Sequence, residues 1–336
     1  MSAQLRFDGQ VVIVTGGAGG IGRSQVLELG RRGAHVVVND LGGSPLGGGA
    51  DSTMAAAVVD EIVAAGGVAV ASDADVSSTD GPQRIIDLAL DTWGRIDGLI
   101  HNAAILRNAH FEDVTDADLD DLLSVNLRGT FRTVQAVYRA MKDGGGGRIV
   151  TLTSASGLAG AFGQSVYAAT KMGVVGMTRT IGWEGMRYGI KANSLAPAAF
   201  DSRIYATKSP ETDAALVGRP PELTVSLDAA EFLGLYTASR VTPMALALVH
   251  DSCPVTAEVY SATGGYFCRF AISHTEGATV GAFPTVDDVA RNFDEIRGQG
   301  TVPNEVDGEA MVWGAGAFGA KLDGLVAELN DTIASV

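Results

Sequence analysis

Hydrophobic residues along the first 200 positions of the chain fall into two alternating kinds of pattern. Short contiguous runs rich in valine and isoleucine, such as QVVIVTG at 10–16, predict strands that are buried on both faces. Longer stretches with apolar residues three and four positions apart predict helices between these strands. The predicted strands span 10–16, 34–40, 67–76, 95–102, 147–154, 189–197 and 258–265. The predicted helices span 20–33, 52–65, 79–93, 116–125, 127–142, 166–187 and 242–251.

This alternation of strand and helix specifies right-handed βαβ crossovers and a parallel sheet that is covered on both faces. We therefore expect an α/β protein of the Rossmann type, doubly wound, with a seven-stranded parallel sheet. Residues 1–270 are expected to form one domain around this sheet. Residues 271–336 predict only two short helices, so we expect a helical C-terminal extension that packs on this domain or on a neighbouring subunit.

Each predicted helix of the extension carries an apolar stripe. Thr285 is expected to cap the first helix, over 286–296. Both stripes predict core or subunit contacts rather than a cofactor site. Their residues are Val286, Val289, Phe293 and Ile296 in the first helix and Leu322, Leu325, Val326, Leu329 and Ile333 in the second.

Composition and charge narrow the possible functions. The net charge of -15 argues against a nucleic-acid surface, which needs a basic stripe, and against docking on anionic lipid. No stretch approaches the roughly 18–20 apolar residues that span a bilayer. The N-terminus lacks the apolar core of a signal peptide, and the terminal IASV is not a peroxisomal signal. We therefore expect a cytoplasmic protein. The 2 cysteines and 5 scattered histidines have no metal-binding spacing, so no metal site is expected.

A glycine-rich turn, TGGAGGIG at 15–22, joins the first predicted strand to the first helix. Gly16, Gly20 and Gly22 would let the backbone approach a pyrophosphate closely, and Ile21 belongs to the same turn. The N-terminus of the helix adds free N–H groups and the positive end of a dipole. The turn therefore predicts a dinucleotide site.

Asp40 ends the second predicted strand, where an acidic side chain accepts hydrogen bonds from the ribose hydroxyls of the adenosine. A carboxylate there would repel a 2′-phosphate, which favours NAD(H) over NADP(H) as the cofactor. An aspartate that only caps a turn is the simpler alternative. Other strand ends should contribute further cofactor contacts. These are Asp75, Val76, Asn102, Ala103 and Pro197.

Tyr167 and Lys171 are four residues apart in the predicted helix 166–187, so they share one face of it. A tyrosine pKa of about 10 makes a poor base at neutral pH, but a neighbouring ammonium stabilises the phenolate and lowers that pKa. Lys171 could also hold the ribose of the nicotinamide. Ser154 ends the fifth strand, and its hydroxyl can hydrogen-bond a substrate oxygen. Asn126 could bind a water molecule that relays protons to Lys171.

Together, the T-G-x-x-x-G-x-G, N-A-A, serine and Y-x-x-x-K motifs resemble the short-chain dehydrogenase/reductase family over about residues 9–265. The resemblance implies that Asn126, Ser154, Tyr167 and Lys171 form a catalytic tetrad, with Tyr167 and Lys171 also contacting the cofactor. It further implies that hydride passes between the nicotinamide C4 and a carbinol carbon while Tyr167 exchanges the hydroxyl proton. Family members pair through the helices that hold Asn126 and Tyr167, so we expect a homodimer or homotetramer.

Several segments look like the (3R)-hydroxyacyl-CoA dehydrogenase subgroup, also known by its 17β-hydroxysteroid dehydrogenase type 4 member. They are VVVNDLGG, the glycine-rich insertion after it, ANSLAP with Ser202-Arg203, and FPTVDDVARNFDEI. This likeness implies NAD as cofactor and a 3-hydroxyacyl-CoA or hydroxysteroid as the small-molecule substrate. The chain departs from the subgroup in two places: the segment between Arg203 and Val241 looks about twenty residues longer, and Ala198 follows Pro197 where the family usually has glycine.

Two irregular segments bear on substrate and cofactor. For the glycine-rich loop at 41–52, two interpretations stay open: a flexible surface loop, or a contact over the adenosine. The segment 200–240 leaves the sixth strand at the ligand-binding edge, and we interpret it as a substrate lid. Its basic residues are candidates for coenzyme A phosphates or ordinary surface charge. Its apolar residues are Phe200, Tyr205, Leu216, Phe232, Leu233, Leu235 and Tyr236, and its basic ones Arg203, Lys208, Arg219 and Arg240.

Two other functions remain open. The same tetrad would serve a dehydrogenase or reductase, dependent on NAD(P), of another small ketone, quinone, terpenoid or sugar alcohol. A sensor that binds a dinucleotide without catalysis is the more remote alternative, because Ser154, Tyr167 and Lys171 are all present.

Overall fold

The computed structural model describes residues 4–199, 201, 234–275, 277–280, 283–298 and 302–303, and a few positions between 326 and 334. Most of the predicted lid, 200–240, lies outside the described residues, as do Leu322, Leu325 and Leu329 of the last predicted helix. The chain divides into two compact units, Met1–Arg269 and Phe270–Val336. Within the described part, no helix is both long and apolar enough to cross a membrane.

The first unit is built on a sheet with the strand order β3-β2-β1-β4-β5-β6-β7-β8. All neighbouring pairs from β3 to β7 are parallel, and the order reverses direction between β1 and β4, so the predicted doubly wound α/β fold is confirmed. The strands are β1 (Val11–Thr15), β2 (His35–Asn39), β3 (Val68–Ser72), β4 (Gly98–His101), β5 (Gly147–Leu152), β6 (Ile190–Ala198), β7 (Val259–Thr263) and β8 (Tyr266–Phe270).

Helices cover both faces of this sheet. They are α1 (Gly20–Arg31), α2 (Thr53–Ala64), α3 (Gly81–Trp93), α4 (Asp116–Leu122), α5 (Thr130–Gly144), α6 (Ala155–Ala159), α7 (Ser165–Gly185) and α8 (Ala238–Val249). One core joins the sheet to α1, α2 and α8, and the other joins it to α3, α5 and α7. Val12 and Val14 enter the first core while Val11 and Ile13 enter the second, which explains why β1 is a continuous apolar run.

The sheet has eight strands rather than the predicted seven. Gly264 and Gly265, both with positive φ, connect β7 to β8 in a two-residue turn. Only an antiparallel neighbour can be reached by so short a connection, so β8 forms a hairpin with β7. In the prediction from sequence, these glycines end the last strand at 258–265, and the YFCRF run after them is not assigned to a strand.

The helices predicted at 116–125 and 127–142 are joined by a π-helical segment, Leu123–Gly129, which runs directly into α5. The extra residue of a π-helical turn shifts the apolar stripe by about 100°, so in the sequence the segment resembles a break between two helices. Asn126 lies in the middle of this segment and is fully buried. The irregular turn therefore coincides with a predicted catalytic residue, as is common for π-helical turns.

In the second unit, Thr285 caps a helix as predicted, in a capping box with Asp288. The predicted helix 286–296 is instead two short helices, α9 (Val286–Arg291) and α10 (Phe293–Arg297), because Asn292 between them leaves helical geometry. The unit also contains a two-stranded antiparallel sheet of β9 (Ser273–His274) and β10 (Val302–Pro303).

Candidate active site

A cleft of about 560 Å³ opens at the carboxyl edge of the sheet, where the strand order reverses. Ligands bind at this position in open α/β sheets. Six strands contribute a residue at or just beyond their ends. The predicted site residues that line it are Gly16, Gly20, Ile21, Asp40, Asp75, Val76, Asn102, Ala103, Tyr167, Lys171 and Pro197. Gly22, Asn126 and Ser154 are not among the lining residues, and each has a different position, described below.

The glycine-rich turn between β1 and α1 is shaped by close backbone packing. Gly16 has a φ of +65°, and a Cβ on Gly22 would lie 2.0 Å from the carbonyl oxygen of Gly16. Gly22 is therefore required for the turn to close, while Gly16 and Gly20 face the cleft. Gly19 caps α1 without a side chain, so no side chain occupies the first-turn N–H groups. This arrangement fits a pyrophosphate.

Thr15, which the sequence analysis did not assign to the site, joins this turn to the end of β4. Its hydroxyl oxygen accepts hydrogen bonds from the N–H groups of Asn102, at 3.2 Å, and Ala103, at 3.1 Å. The Asn102 side chain in turn donates to the carbonyl of Gly16, at 3.2 Å. The threonine directly before the glycines was the available signal, and its role depends on a contact between distant parts of the chain.

Asp40 both caps turns and faces the cleft, the two roles that the sequence left as alternatives. Its carboxylate accepts hydrogen bonds from the N–H groups of Ala18, at 2.9 Å, and Gly42, at 2.8 Å, so it does fix two turns. It also lines the cleft, and each oxygen keeps a lone pair for a ribose hydroxyl. Asp75 similarly accepts from the N–H and hydroxyl of Ser77 while bordering the cleft.

Tyr167 and Lys171 lie together in α7, as their spacing predicts. Both are buried, with 8% and 3% of their surface exposed, and the Lys171 Nζ is 5.7 Å from the centre of the Tyr167 ring. The ammonium donates to the carbonyl oxygen of Leu152 at 2.9 Å, which fixes its position. Burial lowers the pKa of Lys171 from 10.5 to about 8. The lysine thus remains largely charged at neutral pH beside the phenol.

Ser154 lies at the end of β5 and caps the short helix α6. Its hydroxyl oxygen accepts from the N–H of Ser156 at 3.2 Å. The hydroxyl hydrogen is still available to donate to a substrate oxygen. Its role toward a substrate stays a prediction.

Asn126 has a different set of contacts from those expected. Its side-chain amide donates to the carbonyl oxygen of Ile105 and accepts from the N–H of the same residue, both at 2.9 Å. The backbone carbonyl of Asn126 accepts from the Thr130 hydroxyl at 2.6 Å. The side chain therefore holds the segment after β4 in place. The predicted binding of a relay water by Asn126 stays a prediction.

His101, the last residue of β4, does not line the cleft but is close enough to Lys171 to be affected by its charge. It is buried, and its Nε2 has no hydrogen-bond partner among the described residues. Burial, and after it the charge of Lys171, lowers the pKa of His101 to about 3. The imidazole of His101 is therefore neutral at any pH at which the protein would work. The positive charge beside Tyr167 comes from Lys171 and not from His101.

The glycine-rich loop at 41–52 supplies one wall of the cleft, which favours the second of its two interpretations. Its residues that face the cleft are Leu41, Gly43, Ser44, Pro45, Gly47, Gly48 and Gly49.

A doubly wound sheet with a glycine turn, an acidic second strand end and a buried tyrosine–lysine pair defines a dinucleotide-dependent dehydrogenase. Comparison with known proteins agrees with this class. The model of the short chain dehydrogenase family matches residues 10–213. The chain belongs to the short-chain dehydrogenase family, whose members are oxidoreductases that bind nicotinamide dinucleotides.

Individual relatives narrow the comparison. A peroxisomal hydratase-dehydrogenase-epimerase of Neurospora crassa is 40% identical over 82% of this chain. The match covers 28% of that larger protein, so the chain corresponds to only a part of it. A putative short-chain type dehydrogenase/reductase of Mycobacterium tuberculosis is 39% identical over 85% of this chain and 93% of its own length. The solved peroxisomal multifunctional enzyme type 2 of Drosophila melanogaster superposes with a TM-score of 0.74, at 26% identity, over 96% of this chain and 50% of that one.

Proposed function

We propose that the protein transfers a hydride between NAD(H) and a secondary alcohol or ketone, with a 3-hydroxyacyl-CoA or a hydroxysteroid as the substrate. The observation that carries this proposal is the position of Tyr167 and Lys171, both buried and both lining the cleft at the carboxyl edge of the sheet. A sensor could use Lys171 to hold a ribose, but binding alone does not require a phenol beside the ammonium, whereas proton transfer does.

In the oxidative direction, the Tyr167 phenolate accepts the hydroxyl proton of the substrate as the carbinol carbon loses its hydride. Lys171 stabilises the phenolate by its charge, and its hydrogen bond to Leu152 keeps the ammonium in place. Ser154 donates its hydroxyl hydrogen to the same substrate oxygen. The nicotinamide, when bound, supplies the hydride acceptor at its C4. In the reductive direction Tyr167 returns the proton to the carbonyl oxygen.

The preference for NAD over NADP rests on Asp40. Its carboxylate is held by Ala18 and Gly42 at the end of β2, in the cleft wall. A 2′-phosphate on the ribose would approach this fixed negative charge, and like charges a few ångströms apart repel strongly away from bulk water. Movement of the Asp40 carboxylate away from the phosphate would weaken these backbone hydrogen bonds.

The substrate class rests on the relatives. The Neurospora protein is named as a hydratase-dehydrogenase-epimerase, and the subgroup to which this sequence is similar acts on 3-hydroxyacyl-CoA. The residues expected to choose the substrate fall mainly at 200–240, outside the described part of the chain. The cytoplasmic location expected from the sequence stays a prediction, because the Neurospora relative is named as peroxisomal.

The test is reduction of NAD+ and of NADP+ by the purified protein at mildly alkaline pH with a panel of alcohols. The panel includes a 3-hydroxyacyl-CoA series, 17β-hydroxysteroids, and secondary alcohols of the terpenoid and sugar types. We expect the highest kcat/KM with NAD+ and a 3-hydroxyacyl-CoA or a hydroxysteroid. Turnover only with another alcohol would support the proposed reaction but show that the proposed substrate class is wrong. No binding of NADH and no turnover with any member would overturn the proposal.

A further inference from the structure

Arg107, which the catalytic scheme does not use, joins two separate walls of the cleft. Its Nε donates to the carbonyl oxygen of Leu46 in the glycine-rich loop at 2.8 Å. Its two terminal nitrogens donate to carboxylates of α4, Asp118 at 3.0 Å and Asp121 at 2.6 Å. We call Arg107, Asp118 and Asp121 the Arg107 cluster. Through it, one guanidinium connects the glycine-rich loop to α4.

Within the glycine-rich loop, hydrogen bonds close its two ends and join backbone groups near its tip. Its ends are closed by a hydrogen bond from the N–H of Asp51 to the carbonyl of Leu41, at 2.9 Å. Its tip contains Gly47, Gly48 and Gly49, all with positive φ. Three consecutive glycines lose much conformational entropy when they are ordered, so a loop of this composition stays in place only if outside contacts compensate.

Those contacts come from three consecutive residues after β4. Ile105 is held by the buried side chain of Asn126. Leu106 donates its N–H to the carbonyl of Pro45 in the loop at 3.0 Å. Arg107 adds the bond to Leu46 and the two carboxylates. The segment 105–107 thus links the helical segment that carries Asn126 to the loop that covers the cofactor side of the cleft.

We propose that Arg107 is a positioning residue for the cofactor, which holds the glycine-rich loop against the adenosine half of the cleft. The loop begins directly after Asp40, and its lining residues face the cleft on that side. A loop fixed before binding lowers the entropy that cofactor binding must overcome and slows its release. This inference rests on the proposed dinucleotide site.

A direct role for Arg107 in binding a phosphate fits the charges less well. Two carboxylates surround the one guanidinium, so the cluster carries a net negative charge. The hydrogen bond from Thr115, and after it the contact with Arg107, holds the pKa of Asp118 below its ordinary value, so Asp118 stays ionised. A coenzyme A or cofactor phosphate would meet repulsion from the cluster as a whole.

The test compares Arg107→Ala with the wild-type protein in NADH binding. We expect the dissociation constant, from a fluorescence titration, to rise about tenfold, because the free protein must then order the loop when the cofactor binds. Stopped-flow measurements should also show faster release of NADH. At saturating cofactor, kcat should change by less than about twofold, so the effect falls on the KM for NAD+. Arg95→Ala is the matched control. It breaks the Arg95–Asp97 pair at the opposite end of β4 and should leave NADH binding unchanged.

A second pair of variants separates positioning from a loss of fold. The Asp121 side chain is 54% exposed, and asparagine has nearly the same volume as aspartate. Asp121→Asn is therefore expected to fold. Asp121→Asn alone should weaken NADH binding several-fold, and its combination with Arg107→Ala should add little, because both break the same cluster. Equal NADH affinity and release rate in wild type, Arg107→Ala and Asp121→Asn would overturn the positioning role. Equal losses in Arg95→Ala would overturn it as well. Failure of the wild-type protein itself to bind NADH would instead overturn the proposed function.

Discussion

The two residues proposed to exchange and stabilise the substrate proton, Tyr167 and Lys171, are both buried in the folded protein. Lys171 is almost completely buried and donates to a single backbone carbonyl, that of Leu152. His101, close enough to feel its charge, remains neutral. An ammonium in such surroundings interacts with a phenolate much more strongly than it would at a surface, because little water screens the pair. Burial therefore makes Lys171 effective and also costs the folded state some stability.

Replacement of Tyr167 tests the proposed proton transfer. Tyr167→Phe keeps the ring and removes the hydroxyl, so kcat should fall by about 10²–10⁴, the range typical of a general acid or base. The NADH dissociation constant should change little, because the ring still fills its place. Steady-state rates and a fluorescence titration measure the two effects. Tyr266→Phe, at an exposed site on β8, is the control and should behave as wild type. Normal turnover of Tyr167→Phe would remove Tyr167 from the mechanism.

The buried Lys171 predicts a specific dependence of stability on pH. Its pKa is about 8 in the folded protein and 10.5 without burial, so between these values the unfolded chain binds more protons than the folded one. Stability of the wild type should therefore rise from pH 8 to 10.5 relative to Lys171→Met, by up to about 3 kcal/mol. Below pH 8 the difference between the two proteins should stay constant.

Denaturant unfolding of the cofactor-free proteins between pH 7 and 11 measures this difference. A gap between wild type and Lys171→Met that is the same at every pH would show that Lys171 is not perturbed by burial.

At the scale of elements, the turn between β1 and α1 depends on one backbone approach. A Cβ on Gly22 would lie 2.0 Å from the Gly16 carbonyl oxygen, which no rotamer change can relieve because both partners are backbone. Gly22→Ala should therefore displace the start of α1, lower the melting temperature by several degrees, and weaken NADH binding by at least about tenfold.

Gly144→Ala is the matched control for that change. Gly144 is the last residue of α5, and a Cβ there meets nothing within 4 Å. Alanine is the better helix former, so this variant should be as stable as wild type or slightly more stable, with unchanged NADH binding. Thermal unfolding and a titration compare the two variants. Similar behaviour of both would contradict the close-packing argument.

Elements with a strong local signal were predictable, and contacts between distant segments were not. The contiguous valine runs gave β1 and β2, and the Thr285 capping box could be read from four residues. The π-helical segment holds Asn126, whose side chain bonds Ile105 across 21 positions of the chain. The same holds for the site. The four-residue spacing predicted that Tyr167 and Lys171 lie side by side on one helix. The Arg107 cluster could not be predicted in this way, because Arg107 also contacts Leu46, which is 61 positions away in the chain.

At the scale of the whole molecule, two helices that pack on the same core, α5 and α7, carry exposed large apolar side chains. Phe131 on α5 is 50% exposed, and Met172 and Trp183 on α7 are 43% and 38% exposed. These are the helices through which the family resemblance implies pairing of subunits. Exposed large apolar residues on such elements favour a subunit contact, which would remove them from water.

We therefore predict that the protein self-associates through α5 and α7. The double variant Phe131→Asp/Met172→Asp should have a lower mass in solution than wild type, because it places charges in the contact. Light scattering coupled to gel filtration measures the mass. Phe111→Asp, at a residue that is 85% exposed outside these helices, is the control and should keep the wild-type mass. A monomeric wild type, or a double variant with unchanged mass, would refute the predicted contact.

The π-helical segment 123–129 also limits which insertions and deletions this part of the chain can accept. Its wide turn holds one residue more than an α-helical turn, and each residue of an α-helix advances about 100° around the axis. Loss of one codon in this segment would leave α4 and α5 able to form but would rotate one against the other. Asp121 and Asn126 could then no longer face their present partners together. Substitutions at exposed positions here should be tolerated in evolution far more readily than insertions or deletions of a single residue.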